Sequence, residues 1–154
     1  MNKILIFLSI VFLVGCQVNI LEYENQIILD AQQYQAKISR DIWGVPHISG
    51  TRDADVAFGL AFAHAEDDIK NIAENMYLYR AQMGLKDGLS GAVIDYFIKA
   101  LTIRETVDQQ YEEILSEEVR AVIEAYATGL NYLVIKNPDN RFKIHFPFTA
   151  KDII

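Results

Sequence analysis

The chain has 154 residues, 14 basic and 21 acidic, for a formal net charge of −7. That length holds one domain with a real core and excludes two large ones. The acidic balance excludes non-specific nucleic-acid binding, which needs a basic surface. A single cysteine, Cys16, excludes an intrachain disulfide.

The first residues read as a targeting signal. Asn2 and Lys3 make a short positive start, and Ile4 to Val14 is an apolar run. The run is shorter than the roughly 20 residues needed to span a bilayer and fits the core of a secretory signal. It ends in Leu13-Val14-Gly15-Cys16, which resembles a bacterial lipoprotein processing box with Cys16 as the lipidated residue. The alternative is an ordinary signal or uncleaved anchor with an incidental cysteine. The lipoprotein reading divides the chain into a signal peptide over residues 1–15, a lipid-anchored tether over 16–35 and a folded segment over 36–154. It places the product outside the cytoplasm, and Gln17 points to the periplasmic face of the outer membrane.

In chain order, the tether leads into a short helix around Gln26–Gln33. Ala36–Arg40 alternates as a strand does. Gly44-Val45-Pro46 is a turn, since Pro46 fixes its own φ and biases Val45 to extended geometry. His47-Ile48-Ser49 completes a hairpin-like pair. Asp53 is expected to cap a helix from Ala54 to Met83. Its seam is Phe58, Phe62, Ala65, Ile69, Ile72, Met76 and Tyr79. A second apolar face of Val56, Leu60 and Ala63 predicts that the first half is buried on all sides. Gly84, Gly88 and Gly91 predict a loop. Helices are expected over Val93–Leu101 and then along Ile103, Val107, Tyr111, Ile114 and Leu115. Ser116 should cap a last long helix striped by Val119, Val122, Ile123, Tyr126, Leu130, Leu133 and Val134. Asn137-Pro138 ends it, residues 139–148 read as extended or looped, and Thr149 should cap a further helix from Lys151. A domain is not expected to stop at Ile153-Ile154, so the sequence reads as a fragment.

The densest stretch is Arg40–Asp68. His64, Glu66, Asp67 and Asp68, with His47, invite a metal reading. The competing reading is structural: His64 pairs with Asp67 or Asp68 along the helix, or Asp67 braces the hairpin. His47 with Asp41 can form a dyad, but Ser49 and Ser90 lack a nucleophile-elbow context, and the glycines do not make a phosphate loop. Arg40 and Asp41 point to opposite faces of a strand. Arg40 is therefore expected to bridge to a carboxylate of the following helix.

Arg40-Asp41-Ile42-Trp43-Gly44-Val45-Pro46-His47-Ile48 followed by Phe58-Gly59-Leu60-Ala61-Phe62-Ala63-His64-Ala65-Glu66-Asp67 resembles the start of the α chain of the penicillin acylase family. That family of N-terminal-nucleophile hydrolases includes acyl-homoserine lactone acylases. Tyr126-Ala127-Thr128-Gly129-Leu130-Asn131 and Phe148-Thr149-Ala150-Lys151-Asp152 resemble later family segments. Asp68 departs from it, standing where many members carry arginine. The resemblance implies an α+β segment, mostly helical with one or two short N-terminal strands, forming part of an αββα fold that is incomplete here. It implies a precursor cut into α and β chains, whose new N-terminal Ser, Cys or Thr attacks an amide carbonyl with its own α-amine as base. That nucleophile, the acyl pocket and the structural calcium of full-length members lie beyond residue 154. No catalytic or metal residue is therefore assigned here, and no cofactor is expected in this fragment. The implied roles of Arg40, Asp41, Gly44, Pro46, His47, Gly59, His64 and Asp67 are architectural, seating this segment against a missing β chain. The implied substrates of the complete enzyme are N-acylated small molecules. The alternative is a non-catalytic lipoprotein that kept the scaffold as a binding module.

Overall fold

The computed structural model describes residues 21–137 and 145–154. The signal segment, Cys16 and the start of the tether lie outside the described residues, as does most of the 139–148 stretch. Helix α1 covers residues 21–31, beginning earlier than the sequence pattern suggests, and buries Ile27 and Ala31. Strands β1 (Ala36–Arg40) and β2 (Pro46–Gly50) pair antiparallel, with Ile38 opposite Ile48 and Arg40 opposite Pro46. A proline tolerates that place because the first residue of a strand can forgo a ladder donor.

Helix α2 (Asp53–Tyr79) is the spine. Its N-cap is Arg52, not Asp53. The cap is made in reverse by Asp55, whose buried carboxylate accepts the Arg52 main-chain N–H at 3.0 Å and the Arg52 guanidinium at 2.7 Å. Asp55 also accepts the Gln35 N–H at 3.0 Å, tying the helix start to the segment between α1 and β1. Arg52 first, then the Gln35 amide, hold the Asp55 pKa well below the usual carboxylate range.

The first half of α2 lies between two partners. On one side Ala36, Ile38 and Ile48 of the hairpin close on Gly59, where an added Cβ would stand 2.7 Å from Ala36 Cβ and 2.8 Å from Ile48 Cγ2. On the other side helix α6 (Glu117–Lys136) approaches so closely that a Cβ at Gly129 would stand 2.5 Å from the Phe58 carbonyl oxygen. Ala57, Ala61, Ala63 and Ala65 are buried between them. The burial is not complete all round: Leu60 and His64, one turn apart, remain exposed.

Asp68 has non-helical backbone angles, φ −146° and ψ 34°, and kinks α2 there. The seam runs on through it, with Ala65, Ile72 and Met76 in one core. Ile72, Ala73 and Met76 are buried, whereas Tyr79, expected on the seam, faces out. The helix stops at Tyr79 and does not reach Met83.

Where the glycines predicted a loop, a five-residue helix α3 (Met83–Asp87) forms instead. Asp95 of α4 (Leu89–Ala100) accepts the Met83 and Gly84 N–H groups at 2.7 and 2.8 Å. That satisfies first-turn donors which no local residue serves. Helix α5 (Ile103–Ile114) buries Tyr111 and leaves Ile103 and Ile114 exposed. Ser116 caps α6 as expected, accepting the Val119 N–H. Leu130, Leu133 and Val134 enter the main core with Ala61, Ala65, Ile72, Met76 and Phe148. The last element is a 3-10 turn, η1 (Ala150–Asp152), with Thr149 as its N-cap, as expected. Among the described residues no helix is long and apolar enough to cross a membrane.

Candidate functional site: a braced hairpin on a two-sided helix

The β1–β2 turn is organised by Asp41. Its Oδ1 accepts the N–H groups of Trp43 at 2.9 Å and Val45 at 3.0 Å, and its Oδ2 lies 3.3 Å from His47 Nε2. Gly44 has φ +82°, a conformation that L side chains rarely adopt. So Asp41, Gly44, Pro46 and His47 form one capped turn. Asp41 and His47 do pair, as the dyad reading required, but the carboxylate is engaged in holding the turn. Ser90 donates to the Asp87 carbonyl at the start of α4. Burial would raise the Asp41 pKa, but the Val45 and Trp43 amides and His47 outweigh it and lower it.

The same turn is pinned to α2 by Arg40. Its guanidinium donates to the Gly44 carbonyl at 2.8 Å, to Asp67 at 3.0 Å and to Glu66 at 3.1 Å. The expected Arg40 bridge therefore exists, and Asp67 is its main partner. An arginine fork suits this task because it can meet a carboxylate and a carbonyl at fixed angles. His64 does not pair with Asp67 or Asp68. Its Nδ1 lies 2.6 Å from Tyr126 Oη, linking α2 to α6, while Asp68 accepts two bonds from Asn71. A partner 62 residues away cannot be read from helical spacing.

What the brace presents is apolar. Ile42 and Trp43, at the tip, are 90% and 82% exposed, and Val45 is half exposed. Because Asp41 charge holds this turn, its order should fail in acid. The carboxylate pKa is depressed in the fold, so its contribution is full above the ordinary aspartate pKa near 4 and lost as pH falls through the lower folded value. Trp43, the sole tryptophan, reports this. We expect its emission to change below about pH 4, and the Asp41→Asn chain to show that altered signal at pH 7. A pH-independent Trp43 signal in the wild-type chain would contradict the role of Asp41.

A second constellation closes the far end of the domain. Asp152 is buried and accepts Arg80 at 2.6 and 3.1 Å, Arg104 at 2.9 Å, and the Thr149 N–H and hydroxyl at 2.8 and 2.7 Å. Burial opposes its charge, yet Arg80, Thr149 and Arg104 together keep its pKa well below the usual range. Beside it, buried Asn131 clasps Phe148, donating to its carbonyl at 2.7 Å and accepting its N–H at 2.8 Å. Arg80 and Arg104 went unnoticed in the sequence because no local pattern marks them.

Among the described residues no three of His, Cys, Asp and Glu converge to hold a metal ion. His64 and Asp67 turn to different partners, which removes the geometric basis of the metal reading.

The model of the penicillin amidase family matches residues 35–153, from just before β1 through η1. Penicillin acylase 2 proenzyme of Pseudomonas sp. (strain SE83) is 30% identical over 97 residues, covering 62% of this chain and 12% of that protein. Acyl-homoserine lactone acylase QuiP of Pseudomonas putida (strain KT2440) is 26% identical over 102 residues, covering 66% of this chain and 12% of that protein. The thermostable penicillin G acylase of Alcaligenes faecalis superposes with a TM-score of 0.65 at 16% identity, over 77% of this chain and 68% of that chain. That likeness shows a shared fold. The chain spans 12% of the length of the curated relatives it matches.

Proposed function

The chain belongs to the penicillin amidase family, and we propose from that membership that it is the N-terminal portion of an amidohydrolase acting on N-acylated small molecules. β-Lactams and acyl-homoserine lactones are the classes its relatives' names suggest. The observation that carries this reading is the continuity of the family match, which runs from the braced hairpin to the Asp152 clasp and takes in both constellations.

In this reading the described residues are scaffold. Arg40 and Asp41 fix the hairpin, Gly59 and Gly129 let α2 be gripped from two sides, and the Asp152 clasp sets the direction in which the chain leaves the domain. The nucleophile belongs to a partner chain cut from the same precursor. There, a side-chain hydroxyl or thiol with its own α-amine as base would attack the amide carbonyl, and preorganised donors would hold the oxyanion. The rigid tip of Ile42 and Trp43 suits docking against that partner, since exposed aromatic anchors on a fixed frame recur at interface hot spots. We further propose that lipidation of Cys16 holds the assembly at the periplasmic face of the outer membrane.

The chain alone is then expected to hydrolyse neither an N-acyl-homoserine lactone nor a phenylacetylated amide above the buffer rate. Turnover by the pure chain would overturn the location of the nucleophile. Palmitate labelling that persists in the Cys16→Ala chain would refute the anchor.

A further inference from the structure

The family match begins at residue 35, so helix α1 lies outside the residues that the scaffold role accounts for. One side of α1 faces the domain. Tyr23 meets the Phe146 ring edge-on at 6.1 Å, and Ile27 and Ala31 are buried. These three recur every fourth residue, as one side of a helix requires. The other side is apolar and uncovered. Leu21, Ile28 and Leu29 are 61%, 37% and 58% exposed, and exposed Asn25 lies among them. At 3.6 residues per turn these four positions fall within an arc of about 100°.

The length of chain before α1 indicates what covers that arc. Residues 17–20 are all that separate Cys16 from Leu21. Fully extended, that stretch reaches at most about 18 Å. A lipidated Cys16 sits at the membrane surface, so α1 begins within two helix diameters of it. The domain fills the far side of α1, which leaves the outward arc as the side open to the lipid. Charge narrows the lipid class. Residues 17–35 hold no lysine or arginine, whereas Glu22 and Glu24 border the arc. Recognition of anionic lipid beside an anchor uses a basic cluster, so a zwitterionic surface fits.

We propose that α1 lies flat on a zwitterionic lipid surface, with Leu21, Ile28 and Leu29 entering the interface and the domain held close above it. The proposal rests on the lipid anchor of the proposed function and adds the surface that the anchor brings to the bilayer. Three side chains are too few to hold a chain on lipid unaided, since binding of an interfacial helix scales with its buried apolar area. A short tether makes the contact intramolecular, at a high effective concentration.

The test uses the full chain carrying Asn25→Cys, made in a bacterium that processes lipoproteins. It is labelled with an environment-sensitive thiol probe and added to phosphatidylcholine vesicles whose acyl chains carry a nitroxide quencher. Once acylated, Cys16 has no thiol for the probe, so a single probe per chain marks the anchored form. That form should lose most of its emission, and added salt should not restore it, because the contact is apolar. Leu21→Ser with Leu29→Ser should restore the emission while acylation and the helical circular-dichroism signal persist. Two probes per chain would show Cys16 to be free and overturn the anchor, and this proposal with it. A single probe with unquenched emission would overturn the lipid contact alone, as would quenching that is indifferent to the two serines.

Discussion

Asp152→Ala is expected to lower the stability of the full chain by about 2–4 kcal/mol, the largest loss from any single carboxylate described. Removing one partner of a buried ion pair costs about 3–5 kcal/mol because the other charge is left unpaired. Two features moderate that figure. Arg104 is partly exposed and keeps Asp108 at 3.4 Å, so solvent and a second carboxylate absorb part of its loss. Arg80 keeps the Pro147 carbonyl at 2.7 Å. The Thr149 N–H has no such recourse, and its cap disappears with the carboxylate. For a chain of this size the loss corresponds to roughly 5–15 °C in melting temperature, at about 2–4 °C per kcal/mol. Thermal unfolding followed by circular dichroism measures it. Asp152→Asn should fall between, because the amide keeps one acceptor and the shape but offers a donor where two guanidinium groups already donate. The depressed pKa sets the sign of the pH dependence. The wild-type advantage over Asp152→Asn should be full above about pH 4 and shrink as pH falls through the lower folded value. A loss under about 1 kcal/mol for Asp152→Ala would show that the clasp is a surface pair in effect.

The clasp also shows what the sequence could not disclose. Arg80 and Asp152 are 72 residues apart, and Arg104 and Asp152 are 48 apart. Nothing local predicts that Arg80, just past the end of α2, and Arg104 of α5 will meet one aspartate. Helix α3 was hidden for a related reason. Gly84 and Gly88 are ordinary loop signals, and the helix stands because Asp95, some 11 or 12 residues on, caps it. Arg52 for Asp53 at the start of α2 is a subtler miss. The helix-start signal was sound, but the acceptor lies inside the first turn and reaches back. Features with short-range causes were legible. The hairpin followed from strand alternation and Pro46, the Ser116 cap from its hydroxyl before an acidic first turn, and the Arg40 bridge from the cost of leaving a strand-end charge unpaired. The kink at Asp68 had no such marker. It leaves the seam in phase at Ile72 and Met76, and the seam fails only at Tyr79, the last residue of α2.

Gly129→Ala is expected to destabilise the chain by about 1–3 kcal/mol, against the sign that helix propensity alone would give. In a helix interior alanine is favoured over glycine by about 1 kcal/mol. At Gly129, however, the new methyl would stand 2.5 Å from the Phe58 carbonyl oxygen and 2.8 Å from Ala61 Cβ. Neither is the end of a flexible side chain, so α2 and α6 must move apart. Overpacking a well-filled core costs about 1–3 kcal/mol, occasionally more, and separation here also loosens Leu130 and Ala65 in the shared core. Gly59→Ala tests the opposite face of the same helix. Its methyl would meet Ala36 Cβ and Ile48 Cγ2, which belong to a two-stranded hairpin and not, like the neighbours of Gly129, to a 27-residue helix. The hairpin can tilt as a unit, so this change should cost less and should alter Trp43 emission, which Gly129→Ala should not. Gly44→Ala separates strain from crowding. Nothing lies within 4 Å of its added methyl, so only the +82° backbone angle opposes it. If all three substitutions gave equal losses, conformational freedom and not close approach would be what these glycines supply. A larger loss at Gly129, with the optical change confined to Gly59, would establish that α2 is gripped independently from its two sides.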